Sequence, residues 1–217
     1  MTHRPELGWP AGLALLLVAS FHPLAAQVAP APEARLQWTT AVIRLDGVPD
    51  EPAWATADSI SDFTQTDPDE GRPVSERTVV RLLGTSQGLY VALWAWDREP
   101  AAIRRAQLRR DADFDSDDQF SLILDPQRDH RSGFVFSVNP NGALRDAELL
   151  TFEDANEDWN GVWDARARRH SWGWSVEVFI PWQTLRYRLT DRVWGVNFER
   201  VIRRKNEVAL WRAWRRT

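Results

Sequence analysis

From Trp38 onward, apolar and polar residues alternate in short runs separated by turn residues, the period of half-buried β-strands. Phe120, Leu122 and Leu124 share one face of a run over 118–124, which Asp125-Pro126 ends. Runs over 78–83 and 89–96 flank Ser86-Gln87-Gly88 and read as a hairpin. A run over 133–138 closes at Asn139-Pro140-Asn141-Gly142, where Pro sets φ and Gly permits a positive φ. Further runs lie over 40–45, 143–149, 162–168, 174–180, 193–202 and 208–214. The pattern predicts about nine or ten strands. Helix is expected to be minor: one turn over 51–57 with Pro52 near its start, another over 181–185, and a short helix over 101–109. The expected fold class is all-β, a single antiparallel, jelly-roll-like β-sandwich.

The first 26 residues do not fit that pattern. Arg4 gives a positive start, 11–21 is an apolar run, and Leu24-Ala25-Ala26 offers small residues for cleavage before Gln27. This is the composition of an export signal, and the run is shorter than the roughly 20 residues a membrane-spanning helix needs. An uncleaved membrane anchor is the alternative. The expected organisation is a leader over 1–26, a linker over 27–37 containing Pro30 and Pro32, a sandwich over 38–202, and a basic terminal strand over 203–217. The expected location is outside the cytoplasm: periplasm, outer-membrane surface or secreted.

Composition narrows the chemistry. The 217 residues include no cysteine, which excludes disulfides and thiolate metal sites, and 27 Lys+Arg against 31 Asp+Glu, a net charge of −4 that gives no reason to expect nucleic acid as a partner. Thirteen tryptophans stand beside one Met and two Tyr, so the aromatic surface is concentrated in indoles, which fill sandwich cores and also stack on flat ligands.

Five motifs follow one another in order. They are Leu45-Asp46-Gly47 with Asp50-Glu51-Pro52-Ala53-Trp54 and Ala57; Leu89-Tyr90-Val91; Asp117-Asp118-Gln119-Phe120 running to Asp125; Trp174-Ser175-Val176-Glu177; and Ile180-Pro181 with Leu185. Over about 43–197 the chain resembles family 9 carbohydrate-binding modules. Phe63-Thr64-Gln65, Arg109-Arg110-Asp111, the run from Phe136 to Gly142, the run from Trp194 to Arg200, and Arg203-Arg204-Lys205-Asn206-Glu207 with Trp211 resemble a subgroup in which such a module precedes an outer-membrane-type β-barrel. The resemblance implies a non-catalytic module binding a polysaccharide or oligosaccharide in carbohydrate catabolism, and a C-terminal barrel as a partner in the full-length protein. It also implies a structural Ca²⁺ as the one candidate cofactor. The alternative is a structural periplasmic domain of a barrel protein that binds no sugar; a part in a glycoside hydrolase is a further reading.

Sugar recognition needs an aromatic face for C–H groups and fixed polar groups for hydroxyls. Trp159 and Trp163 lie in the Gly/Asn/Asp-rich stretch 158–164, where side chains are expected to be exposed, with Arg110, Asp111 and Asn139 as hydrogen-bonding candidates. Trp172 and Trp174 flank Gly173 at an expected hairpin tip, whereas Trp94, Trp96 and Trp194 fall within strands, where indoles are usually core. Modules of this family that hold sugar ends use two rings, one just before the acidic strand. Here that place is Asp115-Ser116, with Phe114 the nearest aromatic. Asp113, Asp115 and Asp117 alternate as Ca²⁺ ligands do, but Ser116 stands where an EF-hand has its turn glycine and Leu122 where it has its closing glutamate. The other reading of this stretch is a solvated acidic loop paired with Arg104, Arg105, Arg109 and Arg110. The carboxylate pairs Glu148/Glu153 and Asp117/Asp118 and the mature-chain histidines His130 and His170 adjoin no nucleophile motif, so the expected protein is not an enzyme.

Overall fold

The computed structural model describes residues 32–151, 154–187 and 193–212. The expected leader, residues 27–31 of the expected linker and the last five residues lie outside these. Among the described residues, twelve strands form two packed sheets. They are β1 (Gln37–Trp38), β2 (Thr64–Asp67), β3 (Thr78–Gly84), β4 (Gly88–Trp96), β5 (Gln119–Asp125), β6 (Gly133–Val138), β7 (Leu144–Thr151), β8 (Asp154–Asn156), β9 (Asp164–His170), β10 (Gly173–Pro181), β11 (Gly195–Ile202) and β12 (Glu207–Leu210). The five-stranded sheet has the order β1-β3-β4-β10-β9 and the seven-stranded sheet β2-β12-β11-β5-β6-β7-β8. Every pairing is antiparallel except β1 with β3. The protein is an all-β sandwich.

Alternation fills the space between the sheets. Phe120, Leu122 and Leu124 face inward from β5 and pair with Val138, Phe136 and Phe134 of β6. Leu89, Val91, Leu93 and Ala95 face them from β4, buried with Val176, Val178 and Ile180 of β10. Among the described residues helix is confined to short 3₁₀ segments at Pro52–Thr56, Pro100–Ala102, Trp182–Thr184 and Arg203–Lys205.

Three expectations are corrected. Residues 40–45 are not a strand: Ile43 packs with Trp54, Leu83 and Ala92 on the outer face of the five-stranded sheet, so the segment covers that sheet without entering it. The short helix expected over 101–109 is only the turn at Pro100–Ala102. The segment 203–212 is part of the sandwich, because β12 lies between β2 and β11.

One end of the sandwich is built from buried charges. Arg200 of β11 is fully buried between the sheets and donates to Thr78 Oγ1 (2.7 Å), Trp96 O (2.7 Å) and Arg77 O (3.0 Å), tying the seven-stranded sheet to the ends of β3 and β4. Glu76, Asp97, Asp118 and Glu207 are buried and supply the negative charge around it.

Candidate functional site

At this charged end the outer face of the five-stranded sheet carries a row of rings. Because Leu89, Val91, Leu93 and Ala95 take the inward positions of β4, Tyr90, Trp94 and Trp96 point outward, and all three are half-buried. Gly173 begins β10 with φ +145°, and a Cβ there would stand 2.1 Å from Ala95 O. Only glycine lets the β9–β10 turn approach β4 this closely. The turn is then fixed by Asp97 N donating to Trp172 O at 2.9 Å. As a result Trp172 meets Trp96 with ring centroids 5.2 Å apart, and His170 stacks on Trp172 at 4.4 Å and 6°. The Arg77 guanidinium lies 4.1 Å from the Trp96 ring centre. The row therefore runs Arg77, Trp96, Trp172, His170.

Beside it is a cavity of about 400 Å³ lined by Trp96, Trp172, Arg77, Arg98 and two acids, Glu76 and Asp97. The acids are only 3% and 5% exposed and are held in place by neighbouring cations. Arg204 donates to both Asp97 oxygens at 2.8 and 2.9 Å, a bidentate pair. Lys205 and Arg98 hold Glu76. Burial pushes the Glu76 carboxyl up, but the hydrogen bonds from Lys205 and Arg98 outweigh it and hold the group below its ordinary range. Glu76 is thus an ionised hydrogen-bond acceptor at neutral pH and not a proton donor. His170 is pulled below its ordinary pKa by burial and by the charge of Arg168. Its Nε2 lies 2.7 Å from Ser175 Oγ, whose own proton goes to Gly47 O, so Nε2 donates and carries the hydrogen. Two half-buried indoles and the exposed guanidiniums of Arg77 and Arg98 around a cavity of this size suit a small polar ligand with an apolar face.

The residues picked from sequence lie elsewhere and are mostly engaged. Trp163 is 6% exposed and packs edge-on against Phe136 at 5.2 Å, so the expected exposure of its ring is corrected: it belongs to the core. Trp159 is half-buried on Phe134 (5.0 Å) and Phe136 (5.9 Å) and covers Gly161. Arg110 ties this loop to β7, donating to Asp146, to Asn160 Oδ1 (3.2 Å) and to Gly161 O (3.2 Å), and it pairs with exposed Asp111 at 3.5 Å. Asn139 is fully buried and donates to Gln107 O (2.8 Å) and Asp117 Oδ2 (2.7 Å), while Phe114 is buried in the interior. The expected loop site is therefore a set of structural ties.

The calcium expectation fares similarly on geometry. Asp117 is buried and accepts from the Ala106 and Gln107 amides and from Asn139; Asp113 accepts from the Asp115 amide at 2.8 Å; Asp115 is exposed. Among the described residues no group of three or more His, Asp or Glu side chains is placed to hold a metal ion. Asp113, Asp115 and Asp117 do not fit a Ca²⁺ site.

A second polar row crosses the outer face of the seven-stranded sheet. Ser137 donates to Ser121 (3.0 Å), and Ser121 and Gln119 donate to Glu199 (3.4 and 3.3 Å). Burial raises the Glu199 carboxyl, against those hydrogen bonds.

No family model and no curated protein matches the sequence. Solved structures do. A family 9 carbohydrate-binding module from Caldicellulosiruptor kristjanssonii in complex with glucose superposes with a TM-score of 0.56 at 13% identity, over 81% of this chain and 83% of that one. The chain has the fold of a family 9 carbohydrate-binding module. The cellotriose complex of a family 9 module from the same organism gives a TM-score of 0.55 at 14% identity over 81% and 82% of the two chains. A Bacteroides uniformis protein described as a candidate carbohydrate-binding protein gives 0.53 at 13% identity over 70% and 77%. With this fold, the Trp96–Trp172 cavity sits at one end of the sandwich, where sequence reading had placed Trp96 among strand residues. The available signal was Trp172 beside Gly173 at a hairpin tip.

Proposed function

We propose that this protein is a non-catalytic carbohydrate-binding module that holds a sugar in the Trp96–Trp172 cavity. The observation that carries the proposal is the joining of two half-buried indoles with the exposed guanidiniums of Arg77 and Arg98 around a cavity of about 400 Å³. The indole surface left exposed packs on the C–H groups of a pyranose, and the Arg77 and Arg98 guanidiniums donate to its hydroxyl oxygens. The fold shared with modules that bind glucose and cellotriose supports the same reading. In this reading the leader exports the protein to the periplasm, the outer membrane or beyond. There it serves polysaccharide breakdown, joined in the longer protein to an outer-membrane barrel.

The test is tryptophan-fluorescence titration of the purified protein with cello-, xylo- and uronate-containing oligosaccharides. Saturable change that Trp172→Ala abolishes while the variant stays folded is expected. A folded protein that answers to no glycan would overturn the proposal and leave a structural domain as the reading.

A further inference from the structure

The charges along the ring row narrow the class of sugar. The cavity acids are already matched, Asp97 by Arg204 and Glu76 by Lys205 and Arg98, so they present little uncompensated negative charge. Arg77, at one end of the row, has no carboxylate partner among the described residues; its guanidinium lies over Trp96 and lines the cavity mouth. At the other end, Arg168 and Arg169 directly precede His170 on β9, the edge strand of its sheet, and they too have no carboxylate partner among the described residues. They line a groove of about 450 Å³ with Arg166, Asn141 and Asp46. The acid there is spent, since Asp46 pairs with Arg44 at 3.3 Å, and Arg166 pairs with Asp164. A neutral aromatic row thus has at each end an arginine without a carboxylate partner among the described residues, on a protein whose net charge is −4.

We propose that this row binds an acidic polysaccharide, with sugar residues against the exposed edges of Trp96, Trp172 and His170 and anionic groups at Arg77 and at Arg168 and Arg169. The guanidinium fork takes a uronate carboxylate or a sulfate ester with two parallel hydrogen bonds. The inference rests on the carbohydrate reading of the same cavity and adds the charge requirement.

Affinity electrophoresis and calorimetry of the purified protein test it. The probes are polygalacturonate, chondroitin sulfate, neutral cello-oligosaccharides and polyglutamate, the last a polyanion without sugar rings. Binding of one or both acidic glycans at least about tenfold tighter than the neutral ones is expected, weakening with salt. Arg77→Gln and the pair Arg168→Gln/Arg169→Gln each reduce it about tenfold, as loss of a charge-assisted contact does, with melting temperatures unchanged. Preference between the two acidic glycans assigns the anion as carboxylate or sulfate. Neutral glycans bound equally well, with the arginine variants silent, overturn the charge requirement and leave the carbohydrate reading standing. Equal capture of polyglutamate overturns the acidic-sugar inference. Failure of every glycan, neutral and acidic, overturns both.

Discussion

The carboxylate of Glu177 and the indole of Trp54 meet beneath the 43–57 segment, Trp54 Nε1 donating to Glu177 Oε1 at 3.3 Å. The amides of Asp46 and Gly47 donate to the same carboxylate at 3.1 and 3.0 Å, so one buried side chain of β10 anchors the whole covering segment. Glu51 accepts from the same indole, which brings a second negative charge close.

That arrangement predicts how stability depends on pH. Burial, opposed by the amide hydrogen bonds and reinforced by Glu51, pushes the Glu177 carboxyl up to about 7 from an ordinary 4.5. Between those values the native state binds more protons than the unfolded chain, so stability falls as pH rises, by about 3 kcal/mol at most. Asp118, raised mainly by burial to about 6, acts with the same sign at lower pH. Glu76, held low, acts oppositely, and its contribution is lost as pH falls below the ordinary carboxylate range. Urea melts from pH 4.5 to 8 should show the decline, and Glu177→Gln should remove most of it above pH 6. An unchanged slope in that variant would rule out Glu177 as its source.

Arg200 gives a second prediction. It is fully buried, and although burial lowers its pKa to about 10 it remains charged at neutral pH among Asp118, Asp97, Glu76 and Glu207. Arg200→Met leaves those acids uncompensated and should cost about 3–5 kcal/mol. Adding Asp118→Asn should recover part of the loss. A cost below about 1 kcal/mol, the scale of an exposed pair, would mean that water reaches this end of the sandwich.

Gly173 gives a third. A Cβ would collide with Ala95 O at 2.1 Å, and the φ of +145° is strained for any other residue. Gly173→Ala should therefore destabilise by more than about 1 kcal/mol and push Trp172 away from Trp96. Near-ultraviolet circular dichroism of the coupled indoles reads the second effect. Spectra identical to the parent would show that the turn's approach does not set the ring contact.

The sandwich was legible because period-two alternation in 118–124 and 133–138 names the inward face without knowledge of any partner. It failed where both parities are apolar. In β4, the set Leu89, Val91, Leu93, Ala95 and the set Tyr90, Ala92, Trp94, Trp96 are equally hydrophobic, and only the opposing sheet decides which is core. The 40–45 run alternates like a strand, yet it lies across a sheet, a choice set by Glu177 far along the chain. The candidate site was less legible still. Trp172 meets Trp96 through a turn, and Asp117 and Asp118 are adjacent in sequence yet serve a loop knot and the buried charge cluster respectively.

Asp117 separates structure from metal binding. Its carboxylate accepts the Gln107 amide at 2.9 Å and Asn139 Nδ2 at 2.7 Å. Asp117→Ala leaves buried donors without a partner and should cost about 2–3 kcal/mol. Millimolar Ca²⁺ should leave the melting temperature of the parent protein unchanged, because Asp113, Asp115 and Asp117 do not converge. A calcium-dependent rise, lost in Asp115→Asn, would show that the loop rearranges to bind the ion.

The two tryptophan environments make opposite predictions. Trp163 fills the interior against Phe136, and its indole N–H finds no acceptor there, so its worth is packing. Trp163→Ala opens a cavity and should destabilise by about 3–5 kcal/mol, with glycan affinity intact in the fraction that remains folded. Trp172 is half-buried, keeps one face on His170 and lines the cavity. Trp172→Ala should cost less stability than Trp163→Ala yet abolish binding, because it removes one of the two indoles that bound the proposed sugar site. Paired thermal melts and glycan titrations of the two variants decide the matter. If Trp163→Ala lost binding at full stability while Trp172→Ala retained it, the sugar site would belong to the 158–164 loop, and the cavity beside Trp96 would be structural.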